Sequence, residues 1–131
     1  MTLRGRPRHF LSIWAPVVVY IVAIFYFSSL SQIPLASNYP DYVEHGLEYL
    51  GLAVLLARAL NQGLRRMVPV RLLLLAWGLC ILYGASDELH QKFVPDRFAD
   101  VTDVLSDSVG AGIGLLAVHL AQRLLIRRPT S

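Results

Sequence analysis

Charge in this chain is sorted by turn. Asp41, Glu44, Glu48, Asp87, Glu88, Asp96, Asp100, Asp103 and Asp107, all nine of its acids, fall at alternate junctions between four apolar segments. Arg4, Arg6, Arg8, Arg58, Arg65, Arg66, Arg71, Arg123, Arg127 and Arg128 fall at the other junctions and at the two ends. Only Lys92 and Arg97 share the acidic side. Membrane insertion imposes such a pattern, because arginine and lysine near a span stay in the cytoplasm. The sorting predicts an all-α, integral membrane four-helix bundle with both termini cytoplasmic and the acids facing out. Several acids lie inside the apolar segments, where a charge costs roughly 2.5–3.5 kcal/mol at the bilayer centre. Carboxylates at such positions mark candidate sites.

Composition agrees: 131 residues give one domain, and 55% of them are hydrophobic. A net charge of +3 would suit nucleic acid in a soluble protein. Here the arginines flank apolar segments, so membrane lipid is the expected partner and nucleic acid is not. Cys80 is the single cysteine and has no internal partner for a disulfide. Arg4, Arg6 and Arg8 resemble the start of a signal peptide, but the run from Leu11 to Leu30 is long enough to span and no small-residue cleavage site follows. An uncleaved first helix is expected.

The predicted spans are about 11–30, 41–60, 69–90 and 101–125. Ser12 is a candidate N-cap of the first, Pro16 is an early and tolerable kink, and Pro69 opens the third. Ser31 to Pro40 reads as an outer loop. Gln91 to Asp100, with Phe93, Val94 and Phe98 interleaved among charges, reads as a segment in the headgroup layer. Trp14, Tyr20, Tyr26, Tyr39, Tyr42 and Trp77 read mostly as interfacial or lipid-facing aromatics.

Helical spacing collects the polar residues into stripes. Asp41, Glu44, His45 and Glu48 share one face of the second helix, and Gly84, Asp87, His90 and Gln91 one face of the third. Asp100, Asp103, Asp107, Gly110 and Gly114 form a stripe on the fourth. Polar faces in lipid must turn toward each other, so the stripes predict a shared pocket open to the outside. The glycines are expected to bring helices close within one chain, with a homodimer as the other use of such a motif. His119, deeper in the fourth helix, is expected to be a hydrogen-bonded packing residue.

The run Asp41-x-x-x-His45-x-x-x-Tyr49-x-Gly51, followed by Ser86-Asp87-Glu88-x-His90-Gln91-x-Phe93-x-Pro95-x-Arg97-x-x-Asp100-x-x-Asp103-x-x-x-Asp107-x-x-Gly110-x-x-x-Gly114, resembles the VanZ-like family. Members are small bacterial membrane proteins, and the namesake is associated with low-level resistance to the lipoglycopeptide teicoplanin. The resemblance spans Ser28 to Gly114 and implies a plasma-membrane, cell-envelope setting. This chain has Tyr42 where the family often has Lys, and Asp107 where it usually has Asn.

Nine outer acids against Lys92 and Arg97 leave a formal −7 if all are ionised. Closely spaced carboxylates in a low dielectric cannot all ionise, so shared protons or a divalent cation are expected among them. The candidate catalytic residues are His45, Glu48, Asp87, Glu88, His90, Asp103 and Asp107. Gln91, Arg97 and Asp100 are the candidates for substrate binding; Arg97 has a guanidinium fork that fits carboxylate or phosphate, and equally it fits a structural partner that neutralises Asp100 or Asp103. Ser86, Ser106 and Ser108 lack a nucleophile elbow, so a serine hydrolase is not expected. These residues suit recognition or modification of an amphiphilic envelope substrate, either a lipid-linked cell-wall intermediate or a lipoglycopeptide. A proton- or cation-coupled transporter and a non-catalytic accessory protein are the competing classes.

Overall fold

The computed structural model describes residues 6–31 and 40–126, with side chains from residue 9. Four helices follow in order: α1 (Arg6–Ser28), α2 (Asp41–Leu60), α3 (Val70–Gln91) and α4 (Val101–Ile126). The turn predicted between α1 and α2, with Tyr39 in it, lies almost wholly outside the described residues, as do Arg4, Arg127 and Arg128.

Two starts differ from the sequence reading. Helix α1 begins at Arg6, upstream of Ser12, whose hydroxyl donates to the His9 carbonyl at 2.8 Å inside the helix. Pro69 is the N-cap of α3 and not its first residue; with Pro40, the N-cap of α2, it holds extended backbone (ψ 144° and 145°). A proline ring sets φ near the helical value while the missing N–H costs nothing at a helix start. At the other end of α2 the Gly63 N–H bonds the Arg58 carbonyl and the Gln62 N–H bonds that of Ala59, at 2.8 and 3.1 Å. These two bonds close a Schellman turn, with Gln62 at φ 55° in the left-handed position that glycine usually takes.

Three helices, α1, α3 and α4, are long and apolar enough to cross a membrane. Helix α2 carries Asp41, Glu44, Glu48 and Arg58 and misses that standard, yet it is the most enclosed. Tyr49, Leu52, Ala53 and Ala57 of α2 are fully buried, whereas α1 exposes Val18, Val19, Val22, Phe25 and Tyr26. A helix wrapped by apolar neighbours can carry polar residues on its inner face, because that face never meets lipid. Helix α2 packs most extensively on α4, where Gly110 meets the Gly46 backbone and Gly114 that of Leu50. The glycine stripe is thus used inside one chain.

The chain antiparallels at every step, so α1 and α3 end, and α2 and α4 begin, at the acidic end of the bundle. The opposite end is tied by Gln122. Its Oε1 accepts the Val68 N–H at 3.0 Å, and its Nε2 donates to the Leu64 and Arg66 carbonyls at 2.9 Å each. His119, one turn away, has a buried Nδ1 without a hydrogen-bond partner among the described residues, contrary to the expectation that it is hydrogen-bonded. Tyr20 also departs from its predicted place at the lipid surface. Its hydroxyl donates inward to the Glu48 carbonyl at 3.0 Å, and its ring fills the space beside Gly51.

Candidate acidic site

The acidic stripes converge, around His45. Its Nδ1 lies 3.1 Å from Asp107 Oδ1, joining α2 to α4 in a pair whose side chains are 12% and 1% exposed. Asp107 fits there because Gly84 of α3 has no side chain; a Cβ on Gly84 would stand 2.5 Å from Asp107 Oδ2. A serine hydroxyl binds the same helices together nearer the end, Ser106 donating to the Tyr42 carbonyl.

Glu88 and Asp103 lie close to His45. One ligand-type atom from each of His45, Glu88 and Asp103 falls within 4.8 Å of the others. Glu88 is held by the Asp100 N–H, which donates to its Oε2 at 2.9 Å, while its other oxygen is buried with no partner among the described residues. Asp100 caps α4: its Oδ1 accepts the Thr102 N–H at 2.8 Å, a bond that holds this exposed carboxyl below the usual carboxylate range. That capping role accounts for Asp100 without a ligand.

His45 also lines a cavity of about 30 Å³, with Glu44, Glu48, Asp87, Gln91 and Arg97 and with Ile24, Phe27, Ser28 and Asp41 around it. That volume holds a water or a single ion, not a substrate. Asp87 is 4% exposed; its Oδ2 accepts from Gln91 Nε2 at 3.2 Å, and its Oδ1 has no partner among the described residues. The Arg97 Nε donates to the Leu30 carbonyl at 3.1 Å, which folds the connection after α3 over the end of α1. That connection turns at Asp96 (φ 62°) and leaves Phe93 and Phe98 80% and 88% exposed. Such exposure suits the headgroup layer expected for it.

His90 goes elsewhere. Its Nε2 meets the Ser29 hydroxyl at 3.1 Å and its ring lies 4.6 Å from that of Phe25, both on the α1 side. At about 100° per residue, His90 sits about 60° from Asp87 on one side while Glu88 sits about 100° away on the other. Spacing alone groups His90 with Asp87, and the placement of α1 and α4 separates them. Tyr49, present in the motif run but given no role there, is fully buried beside Tyr83 (rings 6.1 Å apart), and its hydroxyl lacks a partner among the described residues. A tyrosine one residue after an intramembrane Glu was the available signal.

A family model for VanZ/LLP1 matches residues 17–122, from the middle of α1 to one turn before the end of α4. The chain belongs to the VanZ/LLP1 family. No curated protein and no solved structure matches it. The VanZ/LLP1 match covers every residue described above in the acidic site, and with the three apolar helices it makes the chain a membrane protein.

Proposed function

We propose that this VanZ/LLP1 protein crosses the bacterial plasma membrane four times with both termini cytoplasmic, and that its acidic end binds the polar head of an amphiphilic envelope substrate. The carrying observation is the junction of two surfaces. The acidic cavity at His45, Asp87 and Arg97 adjoins an apolar groove of about 490 Å³ between α1 and α3, lined by Val17, Val18, Ile21, Leu79 and Leu82. Ile21 and Ser86 of the groove stand one turn and one residue from Ile24 and Asp87 of the cavity. A molecule with a lipid tail in the groove would bring its head to the cavity mouth, where Arg97 suits a phosphate or carboxylate. A lipid-linked cell-wall intermediate and a lipoglycopeptide both have that form, and the latter would connect the site to glycopeptide resistance. A coupled transporter is less well supported. Below His45 the interior is Leu52, Ala53, Leu56, Ala57, Cys80 and Ala111, with no continuous polar path among the described residues.

Protein in nanodiscs, titrated with a polyprenyl phosphate and with the polyprenyl alcohol of equal length, tests the reading. The phosphate is expected to bind at least tenfold tighter, teicoplanin to compete with it, and Arg97→Ala to remove the preference. Equal binding of alcohol and phosphate would sink the proposal.

Sidedness has its own check, on a Cys80→Ala background with an impermeant thiol reagent and intact cells. Phe98→Cys is expected to label and Arg65→Cys to stay unlabelled until the cells are opened. The opposite pattern would place the acidic site in the cytoplasm.

A further inference from the structure

We propose that His45, Glu88 and Asp103 bind a divalent metal ion of the Zn²⁺ or Mn²⁺ class, with Asp107 orienting the imidazole. The three donors come from α2, α3 and α4 and reach within 4.8 Å of one another. Some point lies within about 2.8 Å of all three atoms, so a contraction of roughly 0.6–0.8 Å at most reaches ordinary metal–ligand distances.

Two further observations point to a ligand there. Glu88 is 5% exposed and one of its carboxylate oxygens has no partner among the described residues, although the Asp100 N–H fixes the other. A buried carboxylate oxygen without a donor is costly, and a cation beside it removes the cost. Among the described residues no lysine or arginine pairs with Glu88 or Asp103. The second observation is the orientation of His45. Its Nδ1 faces Asp107 Oδ1 at 3.1 Å, a geometry in which an Nδ1–H donates to the carboxylate. In the neutral imidazole that leaves the lone pair on Nε2. A carboxylate that fixes the tautomer of a histidine is the usual outer support of a metal-ligating imidazole.

The donor set selects the ion. One imidazole and two carboxylates favour Zn²⁺ or Mn²⁺ over Ca²⁺ and Mg²⁺, which prefer oxygen alone. Three protein ligands leave coordination positions open, and a phosphate oxygen is a natural occupant. The inference therefore rests on the acidic end being a ligand site, and it explains how an acidic site accepts an anion.

Protein purified in mild detergent and stripped with EDTA is to be titrated calorimetrically with Zn²⁺, Mn²⁺, Mg²⁺ and Ca²⁺. One equivalent of Zn²⁺ or Mn²⁺ is expected to bind at least 100-fold tighter than Mg²⁺ or Ca²⁺. Glu88→Gln and Asp103→Asn should each weaken it at least 100-fold, and Asp107→Asn by about 10- to 100-fold. Asp96→Asn, an acid at the same end and outside the group, should leave it unchanged. No uptake of Zn²⁺ or Mn²⁺ below millimolar concentration overturns the proposal, as does equal weakening by Asp96→Asn. If the Glu88 variant does not fold, X-ray absorption of the Zn²⁺-loaded wild type reads the donors directly. One histidine with oxygen donors supports the site; a shell without histidine overturns it. Metal uptake without phosphate-dependent lipid binding supports this inference and overturns the functional reading alone. Lipid binding by a protein that takes up neither metal does the reverse.

Discussion

Gly110→Ala is expected to unfold the bundle or come close to it. A Cβ at this position would run into the Gly46 carbonyl, with the Gly46 C and Cα atoms at 2.6 and 2.7 Å. The obstacle is backbone on a second helix, so no side-chain rotation relieves it and α2 must part from α4. Overpacking a rigid contact costs typically 1–3 kcal/mol, and a backbone-to-backbone clash belongs at about 3 kcal/mol or more. Parting these helices would also pull His45, next to Gly46, from Asp107, one turn before Gly110. Gly114→Ala should cost less, since its Cβ would stand 2.7 Å from the Leu50 carbonyl and 3.3 Å from the next atoms. Gly78→Ala is the control: nothing lies within 4 Å, and alanine there should be neutral or stabilising by up to about 1 kcal/mol. Denaturant titration of detergent-solubilised protein, followed by helical circular dichroism, measures all three. Equal stability of Gly110→Ala and Gly78→Ala would show that α2 and α4 do not approach this closely.

Gln122→Leu should be the next most damaging change, at the opposite end. The substitution keeps the volume and removes three hydrogen bonds, to Val68 N–H and to the carbonyls of Leu64 and Arg66. The Val68 bond is buried, while the other two are partly open to water. Each buried group left without a partner costs about 1–3 kcal/mol, so a total loss of about 2–4 kcal/mol is expected. Gln122→Glu should do no better, because a carboxylate cannot donate to two carbonyls. The damage should be local before it is global. Asn61, which donates to the Gly63 and Arg66 carbonyls at 3.0 Å each, holds the connection only from the α2 side. Hydrogen exchange at residues 64–68 should accelerate in Gln122→Leu under conditions where α4 stays protected. Unchanged exchange there would mean that the connection is held without Gln122.

The sequence by itself determined the number of helices, most of their bounds, and the gathering of acids at one end. Those follow from local rules. Apolar length sets a span, proline sets a start, and a period of 3.6 puts Asp103, Asp107, Gly110 and Gly114 on one face of α4. It also carried the family resemblance, because the motif run lies in consecutive stretches of chain. Partner choice within the acidic end was decided by tertiary structure alone. Glu48, Asp87, Gln91 and Arg97 line one cavity with His45, Glu88 and Asp103 gather with His45 but stay out of that lining, and His90 leaves for Phe25 and Ser29. Residues on α3 as close as Asp87, Glu88 and His90 differ by large angles around the helix, so their surroundings depend on where α1 and α4 stand. Gln122 was silent in the sequence for the same reason. Its partners are backbone groups of a connection 54 to 58 residues earlier, and no side-chain pattern records a backbone carbonyl. Periodicity fixes which face of a helix is polar, but only packing decides what that face meets.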